Sequence, residues 1–378
     1  MVSRPTDHRN INLRQLNLDF IKGRANGRIL WQPRIDCWFR DREFDGVGLP
    51  APYTGMSIKE LYDALGCSNR IYDYNYAISK QYEDSIEFDV QTIDSVRRRE
   101  TIKTPIGSIF QVVRTSKSSY GEYPEKFFVE SAADLKVLIY VEERASYHFN
   151  QDIYDAVLEE WGDRGEGSFF FPRVSAQALY IEMAGIMGGI IALKRYPDVC
   201  HEYFQARHRN EKAFIEVINN SPFEWVNFGD NLHGGSMPPS FFEKWILPYY
   251  QERNALLHEA GKYTFAHWDG DTKPILKYAR ETGLDGIEAI TPKPQGDVTI
   301  EEIKDALGDE VDLIDGIPAI LFDEYFPVSE LEATTRKLID LFPGNLLLGI
   351  SDEISSTGNI ERIRLVSEIV DEHNANCQ

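Results

Sequence analysis

From residue 213 onward, short apolar runs alternate with amphipathic stretches, and the alternation predicts a regular series of elements. A helix over 213–219 is followed by strands at 225–228, 263–266, 286–290, 311–314 and 346–350. Between and after them the 3.6-residue pattern predicts helices over 239–261, 272–283, 299–308, 328–342 and 359–373. Five strand-to-helix units in series imply parallel strands, because parallel neighbours need crossovers and are buried on both faces. A (β/α)8 barrel or a doubly wound sheet satisfies this.

The first half of the chain is less regular and richer in aromatic and loop-forming residues. A first strand is predicted over 28–35, a helix over 57–65 and one or two helices over 175–193, with antiparallel excursions over 82–111. Thr104, Pro105, Ile106 and Gly107 read as a turn entering a strand, with a plain surface hairpin the simplest account. These elements favour the α/β barrel of the (β/α)8 TIM type with an elaborated N-terminal region. Residues 1–27 are expected to be an N-terminal extension and 28–378 one barrel domain with insertions around 82–165.

In such a barrel the carboxyl ends of the strands converge on one mouth. Here those ends carry Asp230, Asn231 and His233, then His267, Asp269 and Asp271, then Glu288, then Asp315, then Asp352 and Glu353. A helix cap or a solvated loop explains any one of them. Five consecutive polar strand ends suggest a site. An imidazole among carboxylates suits a borderline or hard metal, zinc first, while a pair of carboxylates with split pKa values would serve as acid and base without metal. His258, His201 and His208 fall inside helical patterns and read as packing or surface residues. Gly234, Gly235 and Gly270 are positioned to bring backbone close to a ligand or to make turns.

Composition narrows the classes. The 378 residues carry 40 Lys and Arg against 61 Asp and Glu, a net charge of −21, so a phosphate backbone finds no cationic surface and nucleic acid is not an expected partner. The longest apolar run, 183–193, is too short to span a bilayer and holds three glycines. Four scattered cysteines and a polar N-terminus suggest reduced thiols and a cytoplasmic protein, with no membrane partner. The glycine-rich phosphate cradles of kinases and nicotinamide dehydrogenases are absent.

Four stretches resemble the uroporphyrinogen decarboxylase superfamily: GDNLHGGSMPPSFFEKWILPYY, HEAGKYTFAHWDGDTKPIL, GLDGIEAITPKPQGDVTIEEI and LLLGISDEI. The resemblance covers roughly 170–373 and implies a distorted (β/α)8 barrel. The superfamily holds both porphyrinogen decarboxylases and methyltransferases that exchange methyl groups with corrinoid proteins. The decarboxylases carry an arginine-bearing element near the N-terminus. The corresponding stretch here, WQPRIDCW, makes Arg34, Asp36 and Trp38 the candidates for holding a substrate, with acids where a polycarboxylate would have to bind.

The thiol-dependent methyltransferases have a zinc site built from His-x-Cys and a later Cys. At those places this chain has His267, Trp268, Asp269 and, near the last strand, Asp352. Glu288 completes a possible set, as in relatives that demethylate ethers. Carboxylates in place of thiolates harden the site and favour an oxygen-linked donor. The resemblance therefore implies a zinc-dependent methyltransferase moving a methyl group from a small O-methylated donor to cobalamin on a corrinoid partner protein. The metal ligands would be His267, Asp269, Glu288 and Asp352, and the catalytic groups Asp230 and His233.

The chain lacks the Asp-x-His-x-x-Gly element of corrinoid domains, Asn376 standing where the glycine would be after Asp371 and His373, so the corrinoid is expected from elsewhere. Trp31, Trp38, Phe39, Tyr53, Tyr72 and Tyr74 are available for a methoxylated aromatic, although cores also use such residues. Alternatives are a metal-free decarboxylase using Arg34 and Asp230, and a non-catalytic tetrapyrrole or corrinoid binding barrel. A homodimer is the commonest default.

Overall fold

The computed structural model describes residues 12–117 and 119–377. Thirteen strands are present among them: β1 (Leu30–Trp31), β2 (Ile78–Tyr82), β3 (Glu87–Thr92), β4 (Arg97–Thr104), β5 (Gly107–Thr115), β6 (Glu122–Lys126), β7 (Ala145–Phe149), β8 (Ser168–Phe171), β9 (Trp225–Leu232), β10 (Tyr263–Trp268), β11 (Gly286–Glu288), β12 (Asp312–Pro318) and β13 (Leu346–Ser351). The chain divides into two compact units.

The first unit comprises the described parts of 1–75, 152–171 and 223–378. Seven of the strands form a parallel sheet in the order β1-β13-β12-β11-β10-β9-β8. Residues 68–71 close the ring between its two edges. The Ser68 N–H donates to Trp31 O at 2.9 Å, Ile71 forms a parallel bridge with Gly167, and the Ser168 N–H donates to Ile71 O at 3.3 Å. With this eighth stave the sheet is a TIM-type barrel, and the doubly wound alternative falls.

The base of the barrel is apolar. Leu30, Trp225, Tyr263, Phe265, Ile314 and Leu347 point inward and pack with Leu16 and Phe20 of the helix Leu13–Ile21, whose side chain cap is Asn12. That helix plugs the amino-terminal end, so residues 12–27 contribute to the barrel core. Interior positions further along the same strands turn polar: Gln32, Asn227, His267 and Glu288 are all buried. The change from an apolar layer to a polar one sets the floor of the mouth.

The second unit comprises 76–151 and 172–222. It contains the antiparallel sheet β3-β4-β5-β6 and the antiparallel pair β2 and β7. The turn expected at Thr104 is the β4–β5 hairpin, with Thr104 opposite Gly107. Helices Ala132–Glu142 and Pro197–Asn219 lie in this unit, with Arg207 donating to Glu142 at 2.9 Å. Among the described residues no helix is long and apolar enough to cross a membrane.

Candidate active site

Five described residues other than glycine have a left-handed backbone; three of them, Asn231, Ala289 and Asp352, lie at the carboxyl ends of β9, β11 and β13, and a fourth, Asp315, lies within β12. A side chain at positive φ costs energy and persists only where its surroundings enforce it. That strain is concentrated at one end of the barrel, where the polar residues gather.

Arg70, on the closing stave, is the hub. Its Nη1 donates to Glu288 Oε2, its Nη2 to Asp315 Oδ1 at 3.1 Å, and its Nε to Gln32 Oε1 at 3.2 Å. Gln32 in turn donates to Asn17 Oδ1 at 3.2 Å and Asn69 O at 3.1 Å. Arg34 Nη2 reaches Asp315 Oδ2 at 3.3 Å and Asp352 Oδ1 at 3.4 Å. Glu288 Oε1 accepts from Asn227 Nδ2 at 2.8 Å and lies 2.8 Å from His267 Nδ1. All but Asp352 are buried, so the charges act on one another with little screening.

His267 shows what the network does. Burial alone would lower its pKa, but Asp269 and Glu288 outweigh that and push it up to about 9. Its Nε2 is buried without a hydrogen-bond partner, 3.6 Å from Asp269 Oδ2. Burial works against ionisation of Glu288, yet Arg70 and His267 hold its carboxyl well below the usual range. Asp269 is likewise held low by His267 against the effect of burial. Arg34, Arg70 and the His267 imidazolium therefore face Glu288, Asp269 and Asp352, with the Asp315 carboxyl between the two guanidiniums, where burial pushes its pKa up against their pull.

That balance bears on zinc. Both Glu288 oxygens are engaged, and the Asp352 side chain is 60% exposed and turned to Arg34. Among the described residues no group of three or more His, Cys, Asp or Glu side chains is placed to hold a metal ion. As arranged, His267, Asp269, Glu288 and Asp352 do not fit zinc as a common donor set. Within that set His267 meets Glu288 through Nδ1 and Asp269 through Nε2, and Asp352 stands apart on Arg34.

Asp230 is not in the mouth. Along β9, Asn227 faces inward, so Asp230, three residues on, faces the helix layer. There it accepts from the Tyr250 hydroxyl at 2.6 Å, and Arg253 lies 4.0 Å away with its guanidinium over Phe171 and Phe228. His233 lies in the loop beyond, half-buried, its Nδ1 accepting from the Gly235 N–H at 3.1 Å. The neighbouring glycines serve this ring: a Cβ at Gly270 would stand 2.4 Å from His233 Cδ2 and one at Gly235 2.6 Å from Cε1. They bring backbone close to a side chain.

Of the three substrate candidates, Arg34 lies in the network. Asp36 opens the helix Asp36–Phe44 and accepts from the Tyr62 hydroxyl at 2.9 Å, burial pushing its carboxyl up to about 6. Trp38 is a packing residue, its Nε1 donating to Gly358 O at 3.0 Å and Arg42 stacked 4.2 Å from its ring. Sequence reasoning missed Arg70, Gln32 and Asn227. Gln32 and Asn227 had one signal, a polar residue inside an otherwise apolar short segment, LWQP and WVNF, and Arg70, in SNRI, had none.

Gly349 gives Asp315 its space. A Cβ there would lie 2.2 Å from Asp315 Oδ1 and 3.1 Å from Gln32 O. Gly349→Ala is expected to force that carboxylate off Arg70 and to destabilise the barrel by about 1–3 kcal/mol, as overpacking does. The urea midpoint measures it, and an unchanged midpoint would mean that Asp315 does not fill this space.

No family model matches the sequence, and no curated protein matches it. Solved structures do. A methyltransferase from Methanosarcina mazei aligns with 95% of this chain and 98% of its own at 10% identity, TM-score 0.60. A protein from Listeria monocytogenes assigned as a vitamin-B12 independent methionine synthase aligns with 91% of this chain and 96% of its own, at 12% identity and TM-score 0.39. The octameric ribulose-1,5-bisphosphate carboxylase/oxygenase of Pyrococcus horikoshii covers 98% of this chain and 66% of its own, at 12% identity and TM-score 0.33. The last two are too distant to carry an argument. The M. mazei protein shares the fold along nearly the whole of both chains.

Proposed function

We propose that this chain is a methyltransferase that takes a methyl group from a small O-methylated donor at the barrel mouth and delivers it to the cobalamin of a corrinoid partner protein. The observation that carries the reading is the buried Nε2 of a cationic His267 at a strand end, 3.6 Å from Asp269 in an ion pair but in no hydrogen bond. The fold shared with the M. mazei methyltransferase supports it. Corrinoid chemistry would supply a strong cobalt-centred nucleophile, and the task left to this chain is to make a poor oxygen leaving group leave.

His267 suits that task. As the nucleophile's electron pair attacks the methyl carbon, the carbon–oxygen bond breaks and the oxygen takes the Nε2 proton, so the demethylated donor departs as a neutral alcohol or phenol. Glu288 fixes the ring through Nδ1 and stabilises the cation before the proton is given up. Arg70 and Asn227 hold Glu288 in turn. Because the donor set does not fit zinc, no step is assigned to a metal.

A decarboxylase of porphyrin-like polycarboxylates is disfavoured by one observation: Arg34 and Arg70 are already committed to Asp315, Asp352 and Glu288. Purified protein mixed with cob(I)alamin and a methoxylated donor should consume cob(I)alamin, read by its absorbance, and should still do so after dialysis against a chelator. If no donor supports consumption, the methyltransferase reading falls. If consumption needs added zinc, His267 is a ligand and not the proton donor.

A further inference from the structure

The helix Gly185–Arg195, in the second unit, carries most of the longest apolar run of the chain, yet its amphipathicity is inverted. Its buried positions are the small residues Gly189 and Ala192, and Gly185, one turn before Gly189, opens it at φ +68°. These face their own unit: a Cβ at Gly189 would stand 2.4 Å from the Tyr180 ring, and one at Gly185 2.7 Å from the Phe127 ring. The large apolar residues point the other way, Met187 being 70%, Ile191 43% and Ile186 40% exposed. Met187, Ile190, Ile191 and Lys194 recur at spacings of three and four, so they form one outward stripe.

A helix that turns its large apolar side to water is stabilised when that side is covered. Lys194 and Arg195 end the helix, exposed and without an ion pair among the described residues, in a chain of net charge −21. That charge opposes an anionic lipid surface, and the stripe has no Trp or Tyr to sit at a membrane interface. A second copy fits better, because a two-fold contact needs a face complementary to itself. When two such helices cross antiparallel, Met187 of each meets Ile190 and Ile191 of the other, and the cations of the two copies stand about 15 Å apart at opposite ends. Each cationic end then meets the residues before Gly185 of the other copy, where Glu182 is half-buried and bonded to Arg173 at 2.8 Å.

We propose that the outward face of Gly185–Arg195 is a self-association surface, on which a second copy of this chain packs its own helix antiparallel across a two-fold axis. The contact is independent of the methyl transfer proposed above. A helix of eleven residues covers less than the roughly 800 Å² per partner of a standard interface, so the dimer is weak and depends on concentration. Its dissociation constant is expected on the order of 10–100 µM, which sedimentation equilibrium across about 5–500 µM brackets.

Met187→Lys should raise the dissociation constant at least about tenfold, while Met187→Leu should stay within about threefold. Lys194→Glu should weaken the dimer as well, since it sets an acid against Glu182 of the second copy. Circular dichroism and the thermal midpoint at low concentration show that the variants are folded, as substitutions at exposed helix positions should be. A chain that is monomeric throughout overturns the inference, and so does a dimer that a folded Met187→Lys protein keeps at wild-type strength. A dimer tightened by Lys194→Glu overturns the antiparallel arrangement. Flotation of a monomeric chain with phosphatidylcholine vesicles, lost in Met187→Lys, overturns self-association and assigns the face to lipid.

Discussion

Arg70→Met is expected to destabilise the barrel by about 3–5 kcal/mol, the cost of leaving buried acids without their partner. The guanidinium is fully buried and bonds Glu288, Asp315 and Gln32 at once. Methionine restores the bulk of the stem, so the loss comes from charge and hydrogen bonds more than from a cavity. Urea unfolding at neutral pH measures it, and a midpoint within the effect of an exposed substitution would mean that the two carboxylates are not held as described.

The pH dependence carries the sign of the same network. In the wild type Glu288 is held below its unfolded pKa, so its contribution is full above about 4.3 and is lost as pH falls through its lower folded value. In Arg70→Met much of that depression is gone and the acids can bind protons. The gap between variant and wild type should therefore narrow as the solution is acidified, although both proteins weaken. A gap that stays constant from neutral pH to pH 4 would assign the loss to packing.

The C-terminal half was legible because its strands obey one rule. Strands buried on both faces read as short apolar runs, and amphipathic helices separate them. What blurred was the end of each strand. β9 was expected over 225–228 and runs to Leu232, and β12 was expected over 311–314 and runs to Pro318, because polar Asp230, Asn231 and Asp315 continue the strands into the mouth. The helix expected over 239–261 is two, Pro239–Trp245 and Leu247–His258, with Pro248 just inside the second.

The first half showed only β1 of its barrel strands, inside the run expected over 28–35, and hid β8 and the closing stave, four residues each and too short for any periodicity to register. That is why Arg70, the hub of the site, left no signal while His267, Asp269, Glu288 and Asp315 stood out at the ends of readable strands. Asp230 stood out by the same rule, and its carboxylate accepts from the Tyr250 hydroxyl of the helix Leu247–His258, in a part of β9 whose register shifts.

His267→Ala is expected to lower the rate of methyl transfer by about 10² to 10⁴, the usual worth of a positioned general acid. The fold should survive, since Glu288 keeps Arg70 and Asn227 when the imidazole is removed. His267→Gln separates proton donation from hydrogen bonding: its amide can satisfy Glu288 but has no acidic proton to give, so it should be about as slow as the alanine variant. A glutamine variant within threefold of the wild type would show that the ring only orients its neighbours. The wild-type rate should hold through neutral pH and fall as pH rises through about 9, where the imidazolium is lost. Stability follows the same direction. The folded pKa lies above the unfolded value of about 6.5, so the contribution of the ion pairs to Glu288 and Asp269 is complete below that value and disappears as pH rises through the folded one. Metal ligation predicts the opposite slope on the acid side, because a ligand must shed its proton to bind and activity would rise with pH towards neutrality. The pH–rate profile therefore decides between a histidine that gives a proton and one that holds a metal.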